Sequence, residues 1–135
     1  MGEGAVMGLV GGPLLALASF LIPFLTRSAV EGGLGPNAVA GIRLPSTMAS
    51  ERAWVAGHRA ALGPSRVTGW IGLFCAVLLT ASAFLPQGDE PHWASIVLFA
   101  LGYGVVLGGA VWCAVVASRA ARAAEVSAPD PPGRG

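Results

Sequence analysis

Residues Gly4 to Thr26 read GAVMGLVGGPLLALASFLIPFLT and carry no charged side chain. A helix needs about 20 apolar residues to cross a hydrocarbon core of about 30 Å, and this run supplies them. It does not read as a cleaved leader. Glu3 precedes it, where a leader carries positive charge, and the apolar run continues past Ala16-Leu17-Ala18 to Leu25. Pro13 and Pro23 lie within it, a tolerable pattern where neighbouring helices satisfy the freed carbonyls. Two further uncharged runs follow, Val67 to Gly88 with an apolar core to Leu85, and Trp93 to Ser118.

Composition agrees with this reading. The chain has 135 residues, of which 54% are hydrophobic and 11% charged, against about 25% charged in a soluble domain. The predicted fold is all-α: an integral membrane bundle of three transmembrane helices, with spans of about 5–26, 67–86 and 93–118 in one domain over 1–122. The central segment 27–66 is expected to carry a short amphipathic helix, and 123–135, rich in proline and glycine, a disordered tail. The lipid bilayer is the expected surrounding. The net charge of +1 gives no ground for a nucleic-acid partner.

Charge placement predicts the orientation. There is no lysine. Arg27, Arg43, Arg52, Arg59 and Arg66 lie between the first two spans, and Arg119, Arg122 and Arg134 follow the third. The turn at Pro86 to His92 holds Asp89 and Glu90 instead. Arginine-rich short loops stay cytoplasmic, so the N-terminus is expected outside a plasma membrane and the C-terminus inside.

Glycines mark expected close approaches. Gly4, Gly8 and Gly12 share one face of the first helix, and Gly104 and Gly108 one face of the third. The spacing suits packing within the chain, against another membrane protein, or between copies in a homo-oligomer.

The longest polar passage is Gly41 to Arg59, GIRLPSTMASERAWVAGHR. Before it, Glu31-Gly-Gly-Leu-Gly-Pro36-Asn37 reads as a turn-rich linker, and Ala38 to Leu44 as an extended segment. Ser50 is the expected N-cap, with Glu51 in the first turn. The helix from Ser50 to Leu62 is predicted to be amphipathic and to end at Gly63-Pro64. Arg52 and Arg59 share one face, and Trp54, His58 and Ala61 the opposite one. Arg43 stands in a loop punctuated by Gly41 and Pro45. Its planar fork suits a carboxylate, a phosphate or backbone carbonyls; the alternatives are a lipid-phosphate anchor and a bond that closes the loop. Trp54 reads as an anchor.

No catalytic constellation is expected. The three spans hold no Asp, Glu, Arg or His, the usual marks of proton and substrate pathways. No nucleophile triad, phosphate-binding loop or metal-ligand spacing is visible, so no cofactor and no metal are expected. Cys75 and Cys113 read as small buried hydrophobes. His58 and His92 fall on opposite sides of the predicted membrane and form no common site.

The central stretch carries the pattern Asn37, Gly41-Ile42-Arg43, Pro45, Thr47, Ser50, Trp54 and His58-Arg59 ahead of a hydrophobic helix. This resembles the signature of the SdpI/YfhL family of small bacterial membrane proteins. Leu44 and Ser46 depart from it, standing where the family has Thr and Trp. The resemblance implies Asn37, Gly41, Arg43, Pro45, Thr47, Trp54, His58 and Arg59 as the functional motif. It further implies membrane localisation and, from the family's namesake, immunity to a secreted peptide toxin with a link to signalling. An accessory subunit that packs on another membrane protein is the alternative expectation.

Overall fold

The computed structural model describes residues 3–86 and 93–127. The described residues form helices joined by one long irregular segment. α1 (Glu3–Val6) passes through a π-helical turn (Met7–Gly11) into α2 (Gly12–Val30); α3 covers Glu51–Ser82 and α4 covers Trp93–Val126. Three helical runs, Glu3–Val30, Glu51–Ser82 and Trp93–Val126, are long and apolar enough to cross a membrane. Three long apolar helices are therefore present, as expected, but the second ends at Ser82, short of the expected end at Pro86.

The extra length has local causes. The third apolar run ends at Arg119, but Arg119 to Val126 is rich in Ala and Arg, both good helix formers. Residues 123–126, expected in a disordered tail, are helical for that reason. The rest of that tail from 128, and the acidic turn at 87–92 with His92, lie outside the described residues. The amphipathic helix does not stop at Gly63-Pro64. It runs on without interruption as the first turns of α3, with Pro64 inside the helix. Proline removes one backbone bond, to the carbonyl four residues back, and the apolar run from Val67 continues the helix beyond it.

At the other proline-rich site the backbone gives way. Pro13 has no N–H for the carbonyl of Leu9, and its ring crowds that carbonyl. The turn immediately before it, Met7–Gly11, is wound as a π-helix. α2 ends at Val30, and two residues further on Gly32 takes φ +84°. The Gly33 N–H then donates to the Ser28 carbonyl at 2.9 Å, a Schellman closure that glycine makes available.

The chain forms two compact units. The first comprises Met1–Phe24 and Gly63–Trp112. Its core is Leu15, Ala76, Leu79 and Val106, with Ile22, Leu98 and Tyr103 packed around it. Small residues let the helices approach. A Cβ on Gly8 would lie 2.7 Å from both the Ala83 Cβ and the Leu79 carbonyl oxygen, and one on Gly12 would collide with the Thr80 Oγ1. Gly4 is buried beside them. Gly8 and Gly12 of the predicted stripe thus pack within the chain. For Gly104 and Gly108, a Cβ on either meets nothing within 4 Å among the described residues. The close approaches on α4 belong to Gly102, against Leu15 and Cys75, and Gly109, against Thr68.

Large apolar side chains are on the outside of this unit. Phe20, Trp70, Phe74 and Leu107 are exposed while Ala76, Ser19 and Thr68 are buried. That distribution would be a liability in water and is the expected one where lipid is the solvent and small residues form the helix contacts. Buried hydroxyls are satisfied locally. Ser19 donates to the Leu15 carbonyl at 2.7 Å and Thr80 to that of Ala76 at 2.8 Å. Ser82 and Ser95 pair at 3.0 Å, and Tyr103 donates to the Gly11 carbonyl at 3.0 Å.

The second unit comprises Leu25–Leu62 and Cys113–Gly135. It holds the motif loop, the first turns of α3 and the last turns of α4.

Candidate functional site

Helix α3 starts where the side-chain chemistry of Ser50 dictates. Its Oγ accepts from the Ala53 N–H at 3.0 Å, satisfying one of the free amides of the first turn. The same hydroxyl donates to the carboxylate of Glu125 on α4. Glu51 occupies the first turn, as expected. From that start the helical period carries Trp54, His58 and Ala61 to the buried face, each no more than 1% exposed, and Arg52 and Arg59 to the exposed face. The predicted amphipathic division is the observed one.

Trp54 and His58, one turn apart, pack with ring centroids 4.1 Å apart and planes tilted by 41°. Each reaches back to the loop. The Trp54 Nε1–H donates to the Leu34 carbonyl at 2.8 Å. The Ile42 N–H donates to His58 Nε2 at 2.9 Å. Nε2 is therefore an acceptor, which requires a neutral ring with its proton on Nδ1, and Nδ1 lies 2.8 Å from the Trp54 carbonyl oxygen that receives it. Both imidazole nitrogens are engaged by backbone. His58 acts here as a clamp on the loop rather than as a free base.

Gly41 is the piece that lets the loop close. Its φ is +115°, a region that side chains with a Cβ avoid. A Cβ there would also stand 2.8 Å from Trp54 Cη2 and 3.1 Å from His58 Nε2. Thr47, fully buried, pins the next residues. Its Oγ1 donates to the Ile42 carbonyl at 2.6 Å and accepts from the Leu44 N–H at 3.0 Å. The side chain of Ile42 packs against Ala61, Cys113 and Ala117. Segment 38–44, expected to be extended, is neither strand nor helix. Its polar groups go to side chains of the motif instead of to a ladder.

The remaining motif residues face outward. Arg43 is exposed, and its Nη1 donates to the Ala38 carbonyl, closing the loop on itself. Asn37, Pro45 and Arg59 are exposed. Among the described residues neither Asn37 nor Arg59 makes a side-chain hydrogen bond. The motif thus separates into a lock of half-buried Gly41 with buried Thr47, Trp54 and His58, and a polar rim of Asn37, Arg43 and Arg59.

Sequence reasoning passed over three contributors. Gly57 is buried, and a Cβ on it would come within 3.0 Å of both the Ala117 carbonyl oxygen and Thr47 Cγ2; a glycine inside an amphipathic helix, costing about 1 kcal/mol relative to alanine, was the available signal. Leu34 contributes only a carbonyl, which no side-chain pattern reveals. Ser46, noted as a departure from the family pattern, pairs with Ser118 on α4 at 2.9 Å. No three His, Cys, Asp or Glu side chains come together among the described residues.

The comparisons with curated proteins and with solved structures return no match. A family model does match: that of the SdpI/YfhL protein family, over residues 34–118. The match opens at Leu34, which holds the Trp54 indole, and closes at Ser118, which holds Ser46. It takes in the whole lock, all of α3, and α4 as far as Ser118. With more than half of its length matched, the chain belongs to the SdpI/YfhL protein family and is an SdpI-like membrane protein.

Proposed function

We propose that this chain is an immunity protein of the bacterial plasma membrane, giving its cell resistance to a secreted peptide toxin. The observation that carries the reading is the family match over residues 34–118, which takes in the locked motif. The lock of Gly41, Thr47, Trp54 and His58 holds the loop in one conformation. The rim of Asn37, Arg43 and Arg59 offers polar groups to a partner, and Arg43 has donors left for a carboxylate or phosphate after its bond to Ala38. The arginine distribution supports an N-terminus outside and a motif loop inside, so toxin meets the helices from one side and any signalling passes through the loop on the other.

The test is survival. A toxin-sensitive bacterium expressing the inserted chain is challenged with the peptide toxin that the SdpI-type immunity protein neutralises, and viability and membrane potential are followed. Survival above the empty-vector control is expected, with loss of protection in Arg43→Ala at unchanged membrane level. Death at normal insertion, with a positive immunity control surviving, removes the proposal for that toxin.

A second reading is favoured by one observation. A Cβ on Gly104 or Gly108 of α4 would meet nothing within 4 Å among the described residues. That observation suits an accessory subunit packed against another membrane protein or a second copy. Gly108→Ile then breaks a detergent-stable complex; an unchanged particle size counts against it.

A further inference from the structure

In the first unit, α2 and α3 leave a groove of about 330 Å³ between them. Its floor is set by a proline. Pro23 has no N–H, so the Ser19 carbonyl lacks its usual donor four residues on. Gly69 of α3 lies against that carbonyl, where a Cβ would come within 2.8 Å of the oxygen. The close approach places Phe20 on one wall and Trp70 and Leu73 on the other. All of this lining is apolar except at one lip, where Arg66 stands.

Arg66 is exposed and makes neither a hydrogen bond nor an ion pair with any described residue. It precedes the apolar core of the second span by a single position. Trp70, one turn further along and 73% exposed, lies on the same face. Arginine followed by tryptophan at the start of a span marks the interface between headgroups and acyl chains. The groove therefore offers an apolar trough with one unpaired cation at its mouth.

We infer that this groove is a binding site for an anionic glycerophospholipid, with the phosphate on Arg66 and one acyl chain lying along Phe20, Trp70 and Leu73. The guanidinium supplies a planar donor fork to the phosphate. The groove supplies no second charge, so a zwitterionic lipid, whose ammonium finds no acidic partner there, binds less well. The inference rests on the membrane fold and is independent of the toxin reading.

The test uses the full chain purified in detergent and exposed to an equimolar mixture of phosphatidylglycerol and phosphatidylcholine with identical acyl chains. Retained lipid is read by native mass spectrometry. The wild type is expected to retain phosphatidylglycerol preferentially. Arg66→Gln should weaken that retention about five-fold, the weight of one arginine at an anionic surface. Arg66→Lys should keep most of it, and Arg52→Gln, at an exposed arginine that does not line the groove, all of it. Leu73→Trp, which fills the trough and leaves the charge in place, should abolish it. Helicity by circular dichroism certifies each variant. Equal retention of the two lipids, unchanged retention in Arg66→Gln, equal losses in both glutamine variants, or full displacement by excess inorganic phosphate would each overturn the assignment.

Discussion

Ile42 and His58 are 16 positions apart in sequence and are joined by a single bond, the Ile42 N–H to His58 Nε2 at 2.9 Å. That bond fixes the loop to the helix, and the Nδ1 bond to the Trp54 carbonyl fixes the ring. Replacing His58 by Phe keeps an aromatic ring against Trp54 and removes both bonds. Stability should fall by about 1–3 kcal/mol, the range for a donor left without its acceptor. Denaturation of the purified protein in mixed micelles measures the loss.

Acid should open the same clamp. Protonated imidazole has no acceptor nitrogen, so proton uptake at Nε2 and the Ile42 bond exclude one another. The folded state binds the neutral ring. Its contribution is complete above the titration range of imidazole, ordinarily near 6.5, and is lost as pH falls below it. Wild type should therefore lose stability as pH falls below about 6.5, and the His58→Phe variant should lose less over the same interval. Parallel pH profiles for the two proteins would contradict this.

Gly41→Ala tests the backbone side of the lock. The substitution forces a Cβ into a φ of +115° and to 2.8 Å from the Trp54 ring, and a strained φ of this kind costs about 1–3 kcal/mol. Gly35→Ala is the matched control, because a Cβ there meets nothing and its φ is not positive; it should change stability by no more than about 0.5 kcal/mol. Thermal unfolding of the pair separates conformational need from general intolerance of the loop.

Gly8→Ala and Gly108→Ala should diverge in the same way. The first drives a methyl to 2.7 Å from the Leu79 backbone oxygen, whereas the second meets open space. Gly8→Ala should lower the melting temperature and Gly108→Ala should leave it unchanged. The sequence assigned these glycines equal weight.

Much of the architecture was legible before the structure because lipid imposes a simple rule: a charge-free run of sufficient length spans. The Ser50 cap and the burial of Trp54, His58 and Ala61 were legible for a similar reason, since helical period dictates both. What periodicity could not supply was the partner of each side chain. That Trp54 binds a carbonyl at Leu34, or that Thr47 holds two backbone groups, depends on the path of an irregular loop. The expected break at Gly63-Pro64 failed because one missing bond is a small local loss beside the flanking turns of a helix that continues into an apolar run. Gly104 and Gly108 misled because spacing identifies a smooth face and not what covers it.

The proposed orientation is open to labelling. Val39 is 96% exposed at the tip of the motif loop. With Cys75 and Cys113 replaced by alanine, Val39→Cys in intact cells should resist a membrane-impermeant maleimide and should react once the membrane is opened. Labelling of intact cells would reverse the topology.

The most direct measurement on the lock is the tautomer of His58 by ¹⁵N NMR of the imidazole in lipid nanodiscs, read together with exchange of the Ile42 amide. A neutral ring with the proton on Nδ1, an unprotonated Nε2 in a hydrogen bond, and a slowly exchanging Ile42 amide is the predicted result. A proton on Nε2, or an Ile42 amide that exchanges as fast as those of the exposed loop, would contradict the clamp on which the structural reading of the motif depends.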